Sequence, residues 1–278
     1  MTATSKIIVI TGANSGIGKE TARVLAAQGH TIIMACRDAA RAEAARQDII
    51  ATSGNDKVEV LPLDLASFQS IHAFAEAFSR RFDHLDILIN NAGLIPFSKE
   101  MTADGFEMQI GVNHLGHFLL TRLLLPQLKA ADHARIINVA SMMHHIGKID
   151  FDSFTGNKPY GLMKAYGQSK LANVLFTREL AQRLKADGIS VFCLHPGGVG
   201  TNIAGRGFFR RNLYKLLGGF MSPARGAKTS IYLAIEPGIE NLSGRYFDEF
   251  CKVKPGSKRS QDMNLARRLW EESEKLTA

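Results

Sequence analysis

The sequence predicts an α/β fold, a doubly wound parallel sheet of seven strands with helices on both faces, and two patterns predict it. Short apolar runs alternate with longer amphipathic segments from one end of the chain to the other, the signature of successive β-α units. Several of the runs, IIVI, IIM and RIINV among them, are continuous and β-branched, as strands buried on both faces require. No Pro/Gly/Ser-rich linker, composition break or internal repeat divides the 278 residues, so the chain reads as one domain, 1–278.

The elements follow in order. KIIVIT is the first strand, and it runs into TGANSGIGKETARVL, whose glycines at 12, 16 and 18 open an amphipathic helix over 17–28. TIIMAC is the second, with Asp38 reading as the N-cap of a helix over 39–53. VEVLPL leads to a helical window at 67–82, and LDILIN to a long one at 102–130. RIINVA is followed by an irregular stretch and a helix over 165–187. ISVFCL precedes a helix at 223–235, and GRYF closes the sheet before a last helix near 260–275.

Composition narrows the function classes. An apolar fraction of 45% fits a protein with a substantial core. The net charge of +8 is spread over the whole length rather than gathered in a block, which argues against nucleic-acid binding. Cys36, Cys193 and Cys251 lie far apart with no C-x-x-C or Cys/His spacing, so zinc is not expected and a reduced, cytoplasmic setting is. The opening MTATSKIIVITG has too short an apolar run for a signal peptide, and no later stretch reaches the ~20 apolar residues of a membrane span.

In an open parallel sheet, ligands bind beyond the carboxyl ends of the strands, so each strand exit is a candidate site. At the first, Gly12, Asn14, Ser15, Gly16, Ile17 and Gly18 combine a tight turn with a helix N-terminus, which suits a diphosphate. The spacing departs from G-x-G-x-x-G, and an ordinary glycine turn is the alternative. At the second, an acidic side chain would take a ribose 2′-hydroxyl and a cation a 2′-phosphate. Cys36 followed by Arg37 therefore favours NADP(H) over NAD(H).

The third and fourth exits carry Asp64 and Leu65, then Asn90, Asn91, Ala92 and Gly93. A carboxylate at 64 suits an adenine amino group, and the Ala92–Gly93 step suits close backbone approach; a helix cap and a turn are the bland readings. The fifth ends on Ser141, and Tyr166 follows 25 residues later within AYGQSK, four residues before Lys170. That spacing stacks phenol and ammonium on one helix face. The sixth runs into HPGGVGT, bringing Pro196, Gly197, Val199 and Thr201 to the same edge.

TGANSGIG, NNAG, Asn113, Ser141 and Y-x-x-x-K occur in the order of the short-chain dehydrogenase/reductase family, which the chain resembles over essentially its whole length. Within that Rossmann-type family it is most similar to the retinol dehydrogenase branch, through NHLGHFLLTRLLLPQL, RIINVASMMHHIGKIDF, KAYGQSKLANVLFTRELAQRL and HPGGV. The resemblance implies Tyr166 as proton donor and acceptor, and Lys170 as its activator and anchor of the nicotinamide ribose. It further implies Ser141 as the group polarising the substrate oxygen and Asn113 as holder of a water linking Lys170 to solvent. A free phenol titrates near ~10, and a nearby ammonium lowers that value. Ala140 stands where the branch often has a second serine, and the hydrophobic N-terminal anchor of many of its members is missing.

Two segments are long for a minimal fold of this kind, 142–164 and 202–221. In the second, Phe209, Leu213, Leu216, Leu217 and Phe220 share a face opposite Arg210, Arg211, Tyr214 and Lys215, with glycines on either side. A lid over a lipophilic carbonyl or alcohol, a helix in peripheral contact with a membrane, and a plain core-packing helix all fit it. His144 and His145 lack a carboxylate at ligand spacing; Met142 and Met143 read as pocket lining or core filler, His195 as a satisfied strand-end histidine, and Trp270 as a packing anchor. The long helices at 112–130 and 165–187 resemble those through which the family often dimerises, so a homo-oligomer is a further expectation. Against the enzyme reading stands a non-catalytic NADP(H)-binding scaffold or redox sensor on the same fold.

Overall fold

The computed structural model describes residues 5–198 and 222–278. Among these, one sheet of eight strands has the order β3-β2-β1-β4-β5-β6-β7-β8. The strands are β1 (Ile7–Thr11), β2 (Thr31–Cys36), β3 (Val58–Pro62), β4 (Ile87–Asn90), β5 (Arg135–Val139), β6 (Ser190–Leu194), β7 (Tyr246–Phe247) and β8 (Val253–Lys254). The first seven run parallel in the predicted doubly wound arrangement. The eighth, absent from the sequence reading, is a two-residue antiparallel return of the chain on β7. It carries no apolar run, because both of its residues are exposed.

Successive side chains along a strand face opposite sides, and both sides are apolar here. Val9, Ile33, Leu88, Ile136 and Val191 enter one core, and Ile8, Ile10, Ile32, Ile89 and Phe192 enter the other. That two-sided burial explains the unbroken β-branched runs. Helices α1 (Gly16–Ala27), α2 (Ala39–Ser53) and α3 (Phe68–Ser79) follow the first three strands. Asp38 caps α2 as expected, accepting from the Arg41 amide at 3.0 Å, and Ser67 caps α3.

The window 102–130 is not one helix. The chain stays irregular to Glu107, with a bridge between Met101 and Glu107. It then forms α4 (Met108–Ile110), a π-helical turn at Gly111–Leu115, α5 (Gly116–Leu123) and α6 (Leu125–Ala130). Glu107 sets the start, since its buried carboxylate accepts from the Gln109 and Ile110 amides at 2.9 and 3.0 Å. Pro126 in the first turn of α6 divides the far end.

Helix α7 (Leu162–Arg183) crosses the sheet behind β5 and β6, and every residue from Ala165 to Thr177 is buried within the single chain. Helices α8 (Pro223–Ile235) and α9 (Met263–Leu276) complete the described residues. Trp270 of α9 packs 4.9 Å from the Phe118 ring and 6.0 Å from Phe176, with the Arg183 guanidinium 4.3 Å from its indole. It is the packing anchor the sequence suggested.

The strand order reverses between β1 and β4. Loops leaving these two strands part to opposite faces, and the crevice they leave is where the functional residues gather.

Candidate active site

A cleft of about 1030 Å³ opens along the carboxyl edge of the sheet, lined from the β1, β2, β3, β4, β5 and β6 exits. Gly12, Asn14, Ser15, Gly16, Ile17 and Gly18 form one wall. Gly12 and Gly16 have φ of 67° and 55°, a region costly for residues with a Cβ. At Gly18 a Cβ would sit 2.5 Å from the Gly12 carbonyl oxygen and 2.5 Å from Asn91 Nδ2. The turn is therefore closed tightly against the β4 exit. Ser15 makes no side-chain cap bond and the first turn of α1 holds no acidic residue, so its amides stay open to an anion. A diphosphate fits this wall.

At the end of β2, burial pushes the Cys36 thiol up to about 11, so it is neutral. Arg37 is exposed at the cleft. The Asp38 carboxylate is taken up by its cap bond and by Arg41 Nε at 2.7 Å. Asp64 and Leu65 line the next stretch, and Asp64 also turns its own loop, accepting from the Ala66 amide at 3.0 Å.

Ala92 and Gly93 line the cleft, but Asn90 does not. Its side chain faces the core, where Nδ2 donates to Thr121 Oγ1 at 3.0 Å and Asn138 Oδ1 at 2.8 Å. It braces helix α5 against β4 and β5. The neighbouring Asn91 takes the cleft position instead and donates to the Thr11 carbonyl at 2.8 Å. The strand's period of two decides which of two adjacent asparagines points outward.

Ser141, Tyr166 and Lys170 line the cleft's inner end. Ser141 caps a 3-10 turn, Met142–His145, its Oγ accepting from the Met143 amide at 3.2 Å. Lys170 is 2% exposed, its Nζ donates to the Val139 carbonyl at 3.1 Å, and the same nitrogen lies 5.7 Å from the Tyr166 ring centre. Burial lowers the ammonium to about 8. It is still cationic at neutral pH.

Asn113 sits in the π-helical turn, fully buried. Its Oδ1 accepts from the Leu94 amide at 2.9 Å and its Nδ2 donates to Ser169 Oγ at 3.0 Å. A Cβ at Gly93 would lie 3.4 Å from both Asn113 Oδ1 and Lys170 Nζ, so these two groups converge behind the β4 exit. Pro196 and Gly197 line the far side. Val199, Thr201 and the 202–221 segment lie outside the described residues.

Sequence reasoning passed over His117. Its Nε2 is 2.9 Å from Thr11 Oγ1 and its Nδ1 3.2 Å from the Asn113 carbonyl. Thr11 Oγ1 in turn accepts from the Asn91 and Ala92 amides at 2.9 Å each. Burial lowers this imidazole to about 3, so it is neutral and ties the glycine turn, the β4 exit and Asn113 into one frame. Its place one turn after Asn113 in NHLGH was the available signal. Two glycines were also missed. A Cβ at Gly147 would collide with the Gly167 carbonyl, and one at Gly167 would lie 3.0 Å from the Met143 carbonyl. The Ser141 turn thus rests directly on α7 beside Tyr166.

The chain matches the profile of the short chain dehydrogenase family over residues 6–208. It belongs to that family. It is 48% identical to human retinol dehydrogenase 11 over 271 residues, covering 96% of this chain and 84% of the relative. With retinol dehydrogenase 12 of Bos taurus it shares 50% over 268 residues, covering 95% and 84%. Among solved structures, an uncharacterized protein from Mycobacterium paratuberculosis superposes with a TM-score of 0.80 at 37% identity, covering 98% of this chain and 93% of the other. The chain is an oxidoreductase of this family, retinol dehydrogenase-like in sequence, and the family uses NAD(P)(H). No helix among the described residues is long and apolar enough to cross a membrane.

Proposed function

We propose that the protein interconverts a lipophilic aldehyde or ketone and its alcohol, with NADP(H) preferred over NAD(H) and Tyr166 as the acid and base. The observation that carries this reading is that Tyr166, Lys170 and Ser141 line the same cleft as the glycine turn. The nicotinamide, when bound, supplies or takes the hydride.

The chain's own residues do the rest. Tyr166 gives its phenolic proton to the carbonyl oxygen during reduction and recovers it during oxidation. Lys170, a buried ammonium, stabilises the phenolate between these events. Ser141 Oγ holds the substrate oxygen by a hydrogen bond. Asn113 fixes Leu94 and Ser169 and so keeps the wall behind Lys170 rigid. Its role as holder of a water is part of the proposal, as are the cofactor contacts of Asp64, Leu65, Ala92, Gly93, Pro196 and Gly197.

The cofactor preference is supported by the exposed guanidinium of Arg37 at the cleft and by an Asp38 carboxylate already engaged by Arg41. The lipophilic substrate class follows the retinol dehydrogenase relatives and the apolar side chains exposed on the turn after β5, Met142 and Ile146. Three free cysteines agree with a cytoplasmic setting. Oxidation of NADPH and NADH with a panel of retinoid, steroid and aliphatic carbonyls tests the reading. It expects turnover with apolar aldehydes and NADPH; binding of cofactor without turnover on any substrate would favour a scaffold instead.

A further inference from the structure

His144 makes two hydrogen bonds that fix its tautomer. Its Nε2 lies 3.1 Å from the Ser257 amide, which can only donate, so Nε2 accepts and carries no hydrogen. The hydrogen is therefore on Nδ1, which donates to the Ser141 carbonyl at 2.7 Å. The ring is fully buried, edge-on to Tyr246 at 4.7 Å. Burial lowers it to about 4, in keeping with a neutral imidazole.

The segment on the other side of this bridge is itself latched. Arg259 Nη1 donates to the Gly147 carbonyl at 3.0 Å, and Arg178 Nη2 to the Pro255 carbonyl at 3.0 Å. Gly256 takes φ of 75°, and a Cβ there would lie 2.6 Å from Ser260 Oγ and 3.4 Å from His144 Nε2. The 255–260 segment thus holds the Ser141 turn at two points, the His144 ring and the Gly147 carbonyl just beyond the turn.

We propose that His144 is a positioning residue for the reaction, coupling the backbone of Ser141 to the 255–260 segment so that this distant part of the chain sets where the serine hydroxyl points. The inference rests on the reading of Ser141 as the group that holds the substrate oxygen. In a site of this kind a small displacement of a hydrogen-bond donor costs turnover more than ground-state binding.

The test compares His144→Ala, His144→Asn, His144→Gln and Arg259→Ala by steady-state kinetics with NADPH and a lipophilic aldehyde, with Ser141→Ala alongside. An asparagine amide reaches the Nδ1 position and keeps the bond to the Ser141 carbonyl; a glutamine amide reaches the Nε2 position and does not. His144→Ala is expected to lower kcat roughly 10-fold or more with KM for NADPH within about twofold, and His144→Asn and His144→Gln, each of which keeps one of the two bonds and breaks the bridge, to recover only part of it. Arg259→Ala should lower kcat in the same sense, and the double variant with His144→Ala should fall short of the product of the two effects. Wild-type kcat in His144→Ala, or a loss confined to thermal stability and equal in all three His144 variants, overturns the proposal. If Ser141→Ala is impaired while His144→Ala is not, only the positioning role fails; if Ser141→Ala turns over like wild type, the reading of the serine fails first.

Discussion

Lys170 Nζ lies 5.7 Å from the centre of the Tyr166 ring, one helical turn away on α7, while donating to the carbonyl of Val139 on β5. The lysine is thus held by the sheet and the tyrosine by the helix, and the two meet where the Ser141 turn begins. An ammonium kept out of water beside a phenol favours the phenolate more strongly than the same pair would in solvent.

That arrangement is costly to the fold. A lysine lowered to about 8 by burial binds its proton less readily when folded than when unfolded. Below about 8 both states carry the charge, and the folded protein bears a cost on the order of 3 kcal/mol. As pH rises from there toward the free lysine value near ~10.4, the unfolded chain holds more protons, so stability climbs. Lys170→Met removes the charge while preserving volume. Thermal unfolding of the cofactor-free variant at neutral pH should give a higher melting temperature than wild type, without the alkaline rise, alongside loss of turnover. A lower melting temperature would mean that the bond to Val139 outweighs the buried charge.

The proposed preference for NADP(H) rests on Arg37. If its guanidinium meets a 2′-phosphate, one charge-assisted contact of about 1.5–3 kcal/mol is at stake. Arg37→Ala should raise KM for NADPH by roughly 10- to 100-fold while leaving that for NADH nearly unchanged. A native preference for NADH that Arg37→Ala does not alter would refute the assignment.

The glycine pair under the serine turn makes a further prediction. At Gly147 the atoms a Cβ would meet are Gly167 backbone and Leu171 Cβ, none of which can swing aside. Gly147→Ala is expected to cost about 1–3 kcal/mol in urea unfolding and to reduce kcat by displacing Ser141. Gly161→Ala, whose Cβ would meet only Lys164 Cβ at 3.5 Å, should lose at most about 1 kcal/mol and keep its activity.

Seven of the strands and the helix starts at Ala39 and Pro223 were legible because each rests on a local signal, an apolar run or a cap. The last strand was not, since Val253 and Lys254 are exposed and pair only through their backbone. The window at 102–130 misled because its apolar spacing is helical throughout, while Glu107 and the π-helical turn at Asn113 answer to tertiary packing. Strand exits located the cleft with its glycine and serine residues, and the four-residue helical spacing in AYGQSK located its tyrosine and lysine. They did not separate Asn90 from Asn91, where one step of register reverses the direction of the side chain. Nor did they find His117, His144 or the Gly147–Gly167 contact, each of which acts through a partner distant in sequence or across a turn.

Tyr166→Phe is the most direct test of the whole account, because it deletes one oxygen and leaves the ring beside Lys170. Single-turnover reduction of a lipophilic aldehyde, with NADPH affinity measured separately by fluorescence, should give unchanged affinity and a rate lower by ~10²–10⁴-fold or more. Turnover near the wild-type rate in that variant would contradict the assignment of the phenol as acid and base.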